Sequence, residues 1–213
     1  SLGVAIGFPL FTALALEHIT AVRGMVFTGL LPLVTAVFGT LRAGERLRLM
    51  FWPFAVSGSL LVVGYALVSG GGTGGIGDVY MLAAIVVAGA GYTEGARLSR
   101  RLGGWQVICW SLVLSFPLTL PITLLMQPDW ATVGLPALAG LGYVSLFSML
   151  IGFVFWYTGL AQGGIAAVGQ LQLLQPFMGI TLAAVILGET VGWDLALVSL
   201  AVVGCVAGAR KTT

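Results

Sequence analysis

The sequence predicts an all-α polytopic membrane protein with eight visible transmembrane helices. Three observations carry this reading: an apolar composition, a series of long apolar runs, and an internal repeat. Of 213 residues, 59% are hydrophobic and 8% charged, and mean hydropathy is +1.08. A soluble domain carries roughly a quarter charged residues, so this chain could not cover a water-facing surface. A soluble enzyme, a nucleic-acid binder and a disordered chain are excluded. The runs are continuous rather than alternating, which excludes a transmembrane β-barrel.

Spanning the hydrocarbon core takes about 20 apolar residues, with a range of roughly 17 to 25. Candidate spans lie at about 2–16, 24–41, 49–68, 79–98, 106–126, 135–160, 165–187 and 195–209. Turn residues separate several of them: the glycine-rich stretch 70–75, Gly103-Gly104, Gln127-Pro128-Asp129 and Gly163-Gly164. The first run is short and begins almost at Ser1, with no Met and no basic n-region. It reads as the continuation of a longer chain, not as a signal peptide. No stretch is long or polar enough for a separate soluble domain.

The basic residues give the orientation. Segments after even-numbered spans hold Arg42, Arg46, Arg48, Arg97, Arg100, Arg101, Arg210 and Lys211, and the opposite face holds only Arg23. Positive charge collects on the cytoplasmic side, so the even side and the C-terminus are expected inside. Trp52, Trp105, Trp130 and Trp193 fall near span ends, as interfacial anchors do.

Two segments resemble each other at an offset of 144 residues. Phe11 matches Phe155, Leu16 matches Leu160, Leu30 and Pro32 match Leu174 and Pro176, and Gly44-Glu45 matches Gly188-Glu189. Val62 and Gly64 match Val206 and Gly208. The shift is five spans, an odd number, so the two copies have opposite orientations. Inverted repeats are a signature of alternating-access transporters, whose substrate site lies near the midplane between the repeats. Five spans per copy makes ten, of which two would lie upstream of Ser1.

The residues that repeat also carry a family likeness. Leu30-Leu31-Pro32-Leu33-Val34-Thr35 followed by Ala43-Gly44-Glu45-Arg46-Leu47 resembles the core of an EamA-like repeat. So do Gln172-Leu173-Leu174-Gln175-Pro176 with Leu187-Gly188-Glu189, and the run from Phe155 through Ala161 before them. The chain resembles the EamA-like branch of the drug/metabolite transporter superfamily. The resemblance implies ten helices in an inverted 5+5 repeat, of which residues 1–69 would end the first copy (helices three to five) and 79–213 form the second (helices six to ten). It implies export of amino acids, metabolites or drugs.

Polar residues inside the spans are the candidate substrate contacts. Gln172 and Gln175 are three apart and share a helix face. Amides are costly in lipid and turn to the bundle interior, and an amide can both donate and accept, which suits a zwitterion. Gln170 lies on a different face. The repeat offset pairs Gln172 with Thr28, a candidate from the other copy. Tyr92 and Trp156 are aromatic candidates for the same wall, Trp156 and its neighbour Tyr157 being equally readable as interfacial belt residues. Pro32 and Pro176 interrupt apolar spans and are candidate hinges, or static kinks. Gly44 and Gly188 suit a left-handed helix C-cap. Glu45 and Glu189, each following such a glycine, are expected to start or cap the next helix, where a carboxylate suits the positive end of the dipole; the alternative is a gate salt bridge. Glu94, with Arg97 one turn on, reads as an interfacial ion pair, the alternative being a proton relay.

The remaining motifs exclude more than they suggest. Gly72 to Gly77 formally fits G-x-G-x-x-G, but no strand precedes it, so it is no nucleotide site. There is no Walker A pattern, one histidine, and two cysteines inside apolar runs. No catalytic residue, metal or cofactor is expected. An intramembrane serine protease would need a histidine within a span, and His18 lies in the loop after the first. The partners expected are a small-molecule substrate and the lipid bilayer, not nucleic acid. Proton coupling stays open, and so does a monomer against a weak homodimer, with Gly204 and Gly208 as a small-residue packing stripe. The function expected is a secondary exporter of a small polar metabolite, most of all an amino acid, in a bacterial inner membrane. The alternatives are a multidrug exporter of the same superfamily and a structural or channel-type subunit.

Overall fold

The computed structural model describes residues 3–19, 24, 27–69, 75–125, 133–175, 177–178 and 193–212. The described residues are helical, with no strand among them. In chain order the helices are α1 (Gly3–Leu16), α2 (Leu31–Ala43), α3 (Phe51–Ser69), α4 (Ile76–Leu102), α5 (Gly104–Leu125), α6 (Leu135–Gly163), α7 (Ile165–Leu174) and α8 (Trp193–Lys211). Three of them, α4, α5 and α6, are long and apolar enough to cross a bilayer by length and composition. All three coincide with runs expected to span.

Helix α4 is the hub, packing on α1, α2, α5 and α6. Its inward face is built from small residues, among them Ala84, Ala88, Gly89, Gly91, Gly95 and Ala96, all buried. Small side chains let helix backbones approach closely, which is how helices associate where lipid provides no hydrophobic drive. The main core gathers Ile85, Tyr92, Val107, Ile108, Tyr157, Leu160 and Ile165 around it. A second cluster joins α3 to α8 through Val62, Val202 and Val206, with Leu173 of α7 between them. Gly208 of α8 lies against the Phe54 ring of α3, so at that position the small-residue stripe serves packing within the chain.

Helix α6 changes character along its length. Its first turns present Leu138 and Leu141 to the outside. A π-helical stretch, Val144–Gly152, then shifts the phase, and Tyr157 and Leu160 become fully buried. So extensive an exposed apolar surface is stable against lipid and not against water.

Helix α2 carries Pro32 in its first turn. There the missing N–H lacks an intrahelical partner in any case, so the proline costs little; the chain turns at Gly29-Leu30 just ahead of it. Gly44 closes the helix at φ +69°, a left-handed conformation that a side chain resists. The following N–H, of Glu45, donates back to the Gly39 carbonyl at 3.1 Å.

Candidate functional site

Two groups of polar side chains stand out. The first is a cluster of aromatics and amides inside the bundle. Tyr92 of α4 packs edge-on against Trp156 of α6, ring centroids 5.6 Å apart, and against Phe153 at 6.1 Å. Phe153 in turn meets Tyr157 at 5.4 Å. The Tyr157 ring lies directly on Gly95, where any side chain would overlap it. From α7, the Gln172 amide N–H donates to the Tyr92 hydroxyl. Three helices thus converge, and α7 reaches them through a 3₁₀ stretch, Gln170–Leu174, that winds it tighter than an α-helix.

The cluster is polar at its atoms yet incompletely paired. The Gln172 Oε1, Trp156 Nε1 and Tyr157 hydroxyl are buried without a hydrogen-bond partner among the described residues. An indole N–H can only donate and an amide oxygen can only accept. Such atoms cost free energy in apolar surroundings unless something pairs with them.

The expected residues are distributed as follows. Tyr92, Trp156 and Gln172 come together. Gln175, one turn beyond Gln172, is exposed. Thr28 is half-buried at the turn leading to α2. Pro176, Gly188 and Glu189 lie outside the described residues. Gln170, set aside on spacing, is fully buried, and its Nε2 lies 3.5 Å from the Pro32 carbonyl, joining α7 to α2.

The second group is built on Glu45. Its carboxylate does not cap the next helix, as the sequence suggested. It caps α7, accepting from the Ile165 N–H at 2.6 Å and the Ala166 N–H at 2.9 Å. The reason is local. The N-cap residue of α7 is Gly164, at φ +87°, which has no side chain to satisfy the first amides. Glu45 supplies the acceptor from elsewhere, and its charge suits the positive end of the helix. Arg100 of α4 completes the group, with Nη2 3.3 Å from Glu45 Oε1 and Nε 3.4 Å from the Ala161 carbonyl near the end of α6. The ends of α2, α4 and α6 and the start of α7 are therefore tied at one place. Arg100 entered the sequence reading only as one basic residue among several, and no local signal identifies its partners.

Nearby, Glu94 pairs with Arg97 at 2.9 Å, the ion pair its spacing suggested, and also with Arg42 at 2.9 Å.

Residues 75–209 match the EamA-like transporter family. The uncharacterized transporter YdeK of Bacillus subtilis (strain 168) is 67% identical over 210 residues, 98% of this chain and 73% of YdeK. The chain belongs to the EamA-like transporter family. It is therefore a multi-pass membrane transporter of the drug/metabolite type. A probable terminal-alkyne amino-acid exporter of Streptantibioticus cattleyicolor is 28% identical over 200 residues, 92% of this chain and 66% of that protein. One crystal structure shares the fold at a TM-score of 0.81 and 22% identity, covering 98% of this chain and 74% of that one. Within the EamA-like segment lie Tyr92, Trp156, Gln172 and Arg100; Glu45 and Pro32 fall outside it.

Proposed function

We propose that this EamA-like chain belongs to a secondary exporter that moves a small polar metabolite, an amino acid, by alternating access. The membrane is the bacterial inner membrane, with the C-terminus cytoplasmic. The fold is the ten-helix inverted 5+5 repeat, and Gln172, Tyr92 and Trp156 form the substrate contacts, with Gln175 and Thr28 at the edge of the site. Pro32 and Pro176 are the hinge positions.

The observation that carries the reading is that three buried polar atoms of the aromatic cluster have no partner among the described residues: an acceptor, Gln172 Oε1, a donor, Trp156 Nε1, and the Tyr157 hydroxyl, which can act as either. An α-amino acid offers the complement of the first two, an ammonium to the acceptor and a carboxylate to the donor. The site bears neutral groups only, so a zwitterion fits it better than an ion of either sign. The 28% identical relative named as a probable amino-acid exporter supports the same class.

The test is counterflow in proteoliposomes with labelled amino acids, using the full-length protein. Saturable exchange of a few of them, lost in Gln172→Ala, supports the reading. Exchange of lipophilic cations instead would move the assignment to drug export.

A further inference from the structure

We propose that the segment joining α2 to α3, from Arg46 to Met50, is a docking site for an anionic phospholipid. The inference rests on the chain lying in a membrane, and on no substrate or direction of transport.

The segment is anchored on both sides and bare at its tip. Leu47 packs against the cluster that holds Phe51, Ala55 and Ala209, where α3 meets the end of α8. Phe51 itself is fully buried, and its N–H donates to the Arg48 carbonyl at 2.9 Å, closing the turn into α3. Between these anchors Leu49 and Met50 project, 86% and 64% exposed. Turns that face water favour Gly, Pro, Asn, Asp and Ser. A leucine and a methionine held out at this place gain free energy only by meeting an apolar phase. Arg46 and Arg48, both exposed, precede them, with the tucked Leu47 between.

Charge decides which lipid fits. Glu94 is taken by Arg42 and Arg97, and Glu45 by Arg100 and the first amides of α7. Arg46 and Arg48 have no acidic partner among the described residues. A guanidinium presents a planar fork of donors that matches a phosphate. The amine of a zwitterionic headgroup would find no open carboxylate beside these two arginines, and the net-neutral lipid would leave their charge uncompensated. A free phosphate would pair with the arginines and leave Leu49 and Met50 in water. A phospholipid of net negative charge serves all four residues at once, its phosphate on the arginines and its acyl chains against the leucine and the methionine. Basic residues beside a membrane surface attract such lipids in the same way.

The experiment measures which lipid lies against the tip. Full-length protein with Cys109 and Cys205 replaced by alanine carries a bimane label on Met50→Cys, in nanodiscs of phosphatidylglycerol and phosphatidylcholine. One lipid at a time is brominated, so that quenching reports its share of the contacts. Phosphatidylglycerol should be preferred at least about fivefold, the value of one arginine at an anionic surface. Arg46→Gln with Arg48→Gln should bring the preference to about one, and Arg97→Gln with Arg101→Gln, which removes the same charge from the end of α4, should leave it within about twofold. Equal quenching by the two lipids in the parent would overturn the proposal. So would an equal loss in both double variants, which would show a response to net charge and no site. Quenching by neither lipid, with self-association of the protein, would mean that a second copy covers the tip and would overturn it as well. Because the label replaces Met50, native mass spectrometry of the unlabelled protein provides a second reading. Arg46→Gln with Arg48→Gln should retain less phosphatidylglycerol than the parent, and equal retention would overturn the site.

Discussion

The Glu45 carboxylate lies 2.6 Å from the amide nitrogen of Ile165 and takes the place of a capping side chain that Gly164 cannot provide. Removing it leaves two helix-terminal N–H groups without an acceptor. Loss of an N-cap costs about 0.5–2 kcal/mol, and a carboxylate serving two amides belongs at the upper end. Glu45→Ala is expected to lower stability by about 2 kcal/mol. Arg100→Gln should cost less than about 1 kcal/mol, because its guanidinium is partly in solvent. Unfolding midpoints in detergent compare the two; an arginine effect equal to the glutamate effect would show that the ion pair, not the cap, carries the energy.

Glu94 supplies the control. It too sits among arginines, Arg42 and Arg97, but its side chain is 34% exposed and Arg42 is 62% exposed. Exposed ion pairs contribute about 0–1 kcal/mol. Glu94→Ala should therefore change stability by less than about 1 kcal/mol and leave exchange rates within about twofold. A loss as large as that of Glu45→Ala would mean that charge at this end matters more than helix capping.

The comparison of these two glutamates shows what the sequence could convey. Glu94 and Arg97 are one turn apart on one helix, so their pairing follows from spacing. Glu45 follows a glycine that ends a helix, and the left-handed Gly44 was legible for the same local reason. Its partner was not, because a vacant cap at Gly164 becomes visible only when the two segments meet in space. The apolar runs foretold α4, α5 and α6, since hydropathy acts residue by residue. In the aromatic cluster, residue chemistry pointed to Tyr92, Trp156 and Gln172. The burial of Gln170 and exposure of Gln175 depend on how α7 is wound and where it ends against α2, which spacing in a regular helix does not encode.

Gly95 is a test of how closely α6 must approach α4. A methyl group there would overlap the Tyr157 ring. Overpacking a tight contact costs about 1–3 kcal/mol, and here it would also displace the ring stack that runs through Phe153 to Tyr92. Gly95→Ala is expected to lower the unfolding midpoint and to reduce exchange. Gly95→Ala with Tyr157→Leu should recover much of the stability. A Gly95→Ala protein as stable and active as the parent would show that α6 can shift without consequence for the cluster.

The aromatic cluster makes the sharpest demand on the proposed site. Tyr92→Phe removes the oxygen that receives the Gln172 amide but keeps the ring packed on Trp156. Trp156→Phe keeps an aromatic face and removes the unpaired Nε1 donor. If the substrate pairs with the donor and the acceptor, Trp156→Phe and Gln172→Ala should each raise the half-saturation concentration about tenfold, the value of one hydrogen bond of roughly 1.4 kcal/mol. Tyr92→Phe should act through Gln172, and so add little in the Gln172→Ala background. Gln175→Ala, on an exposed residue, should change it less than about threefold, or under roughly 0.7 kcal/mol. Counterflow across a concentration series separates these outcomes. Equal effects of Gln175→Ala and Gln172→Ala would move the contact surface to the exposed end of α7. Additive effects of Tyr92→Phe and Gln172→Ala would mean that the tyrosine touches substrate itself.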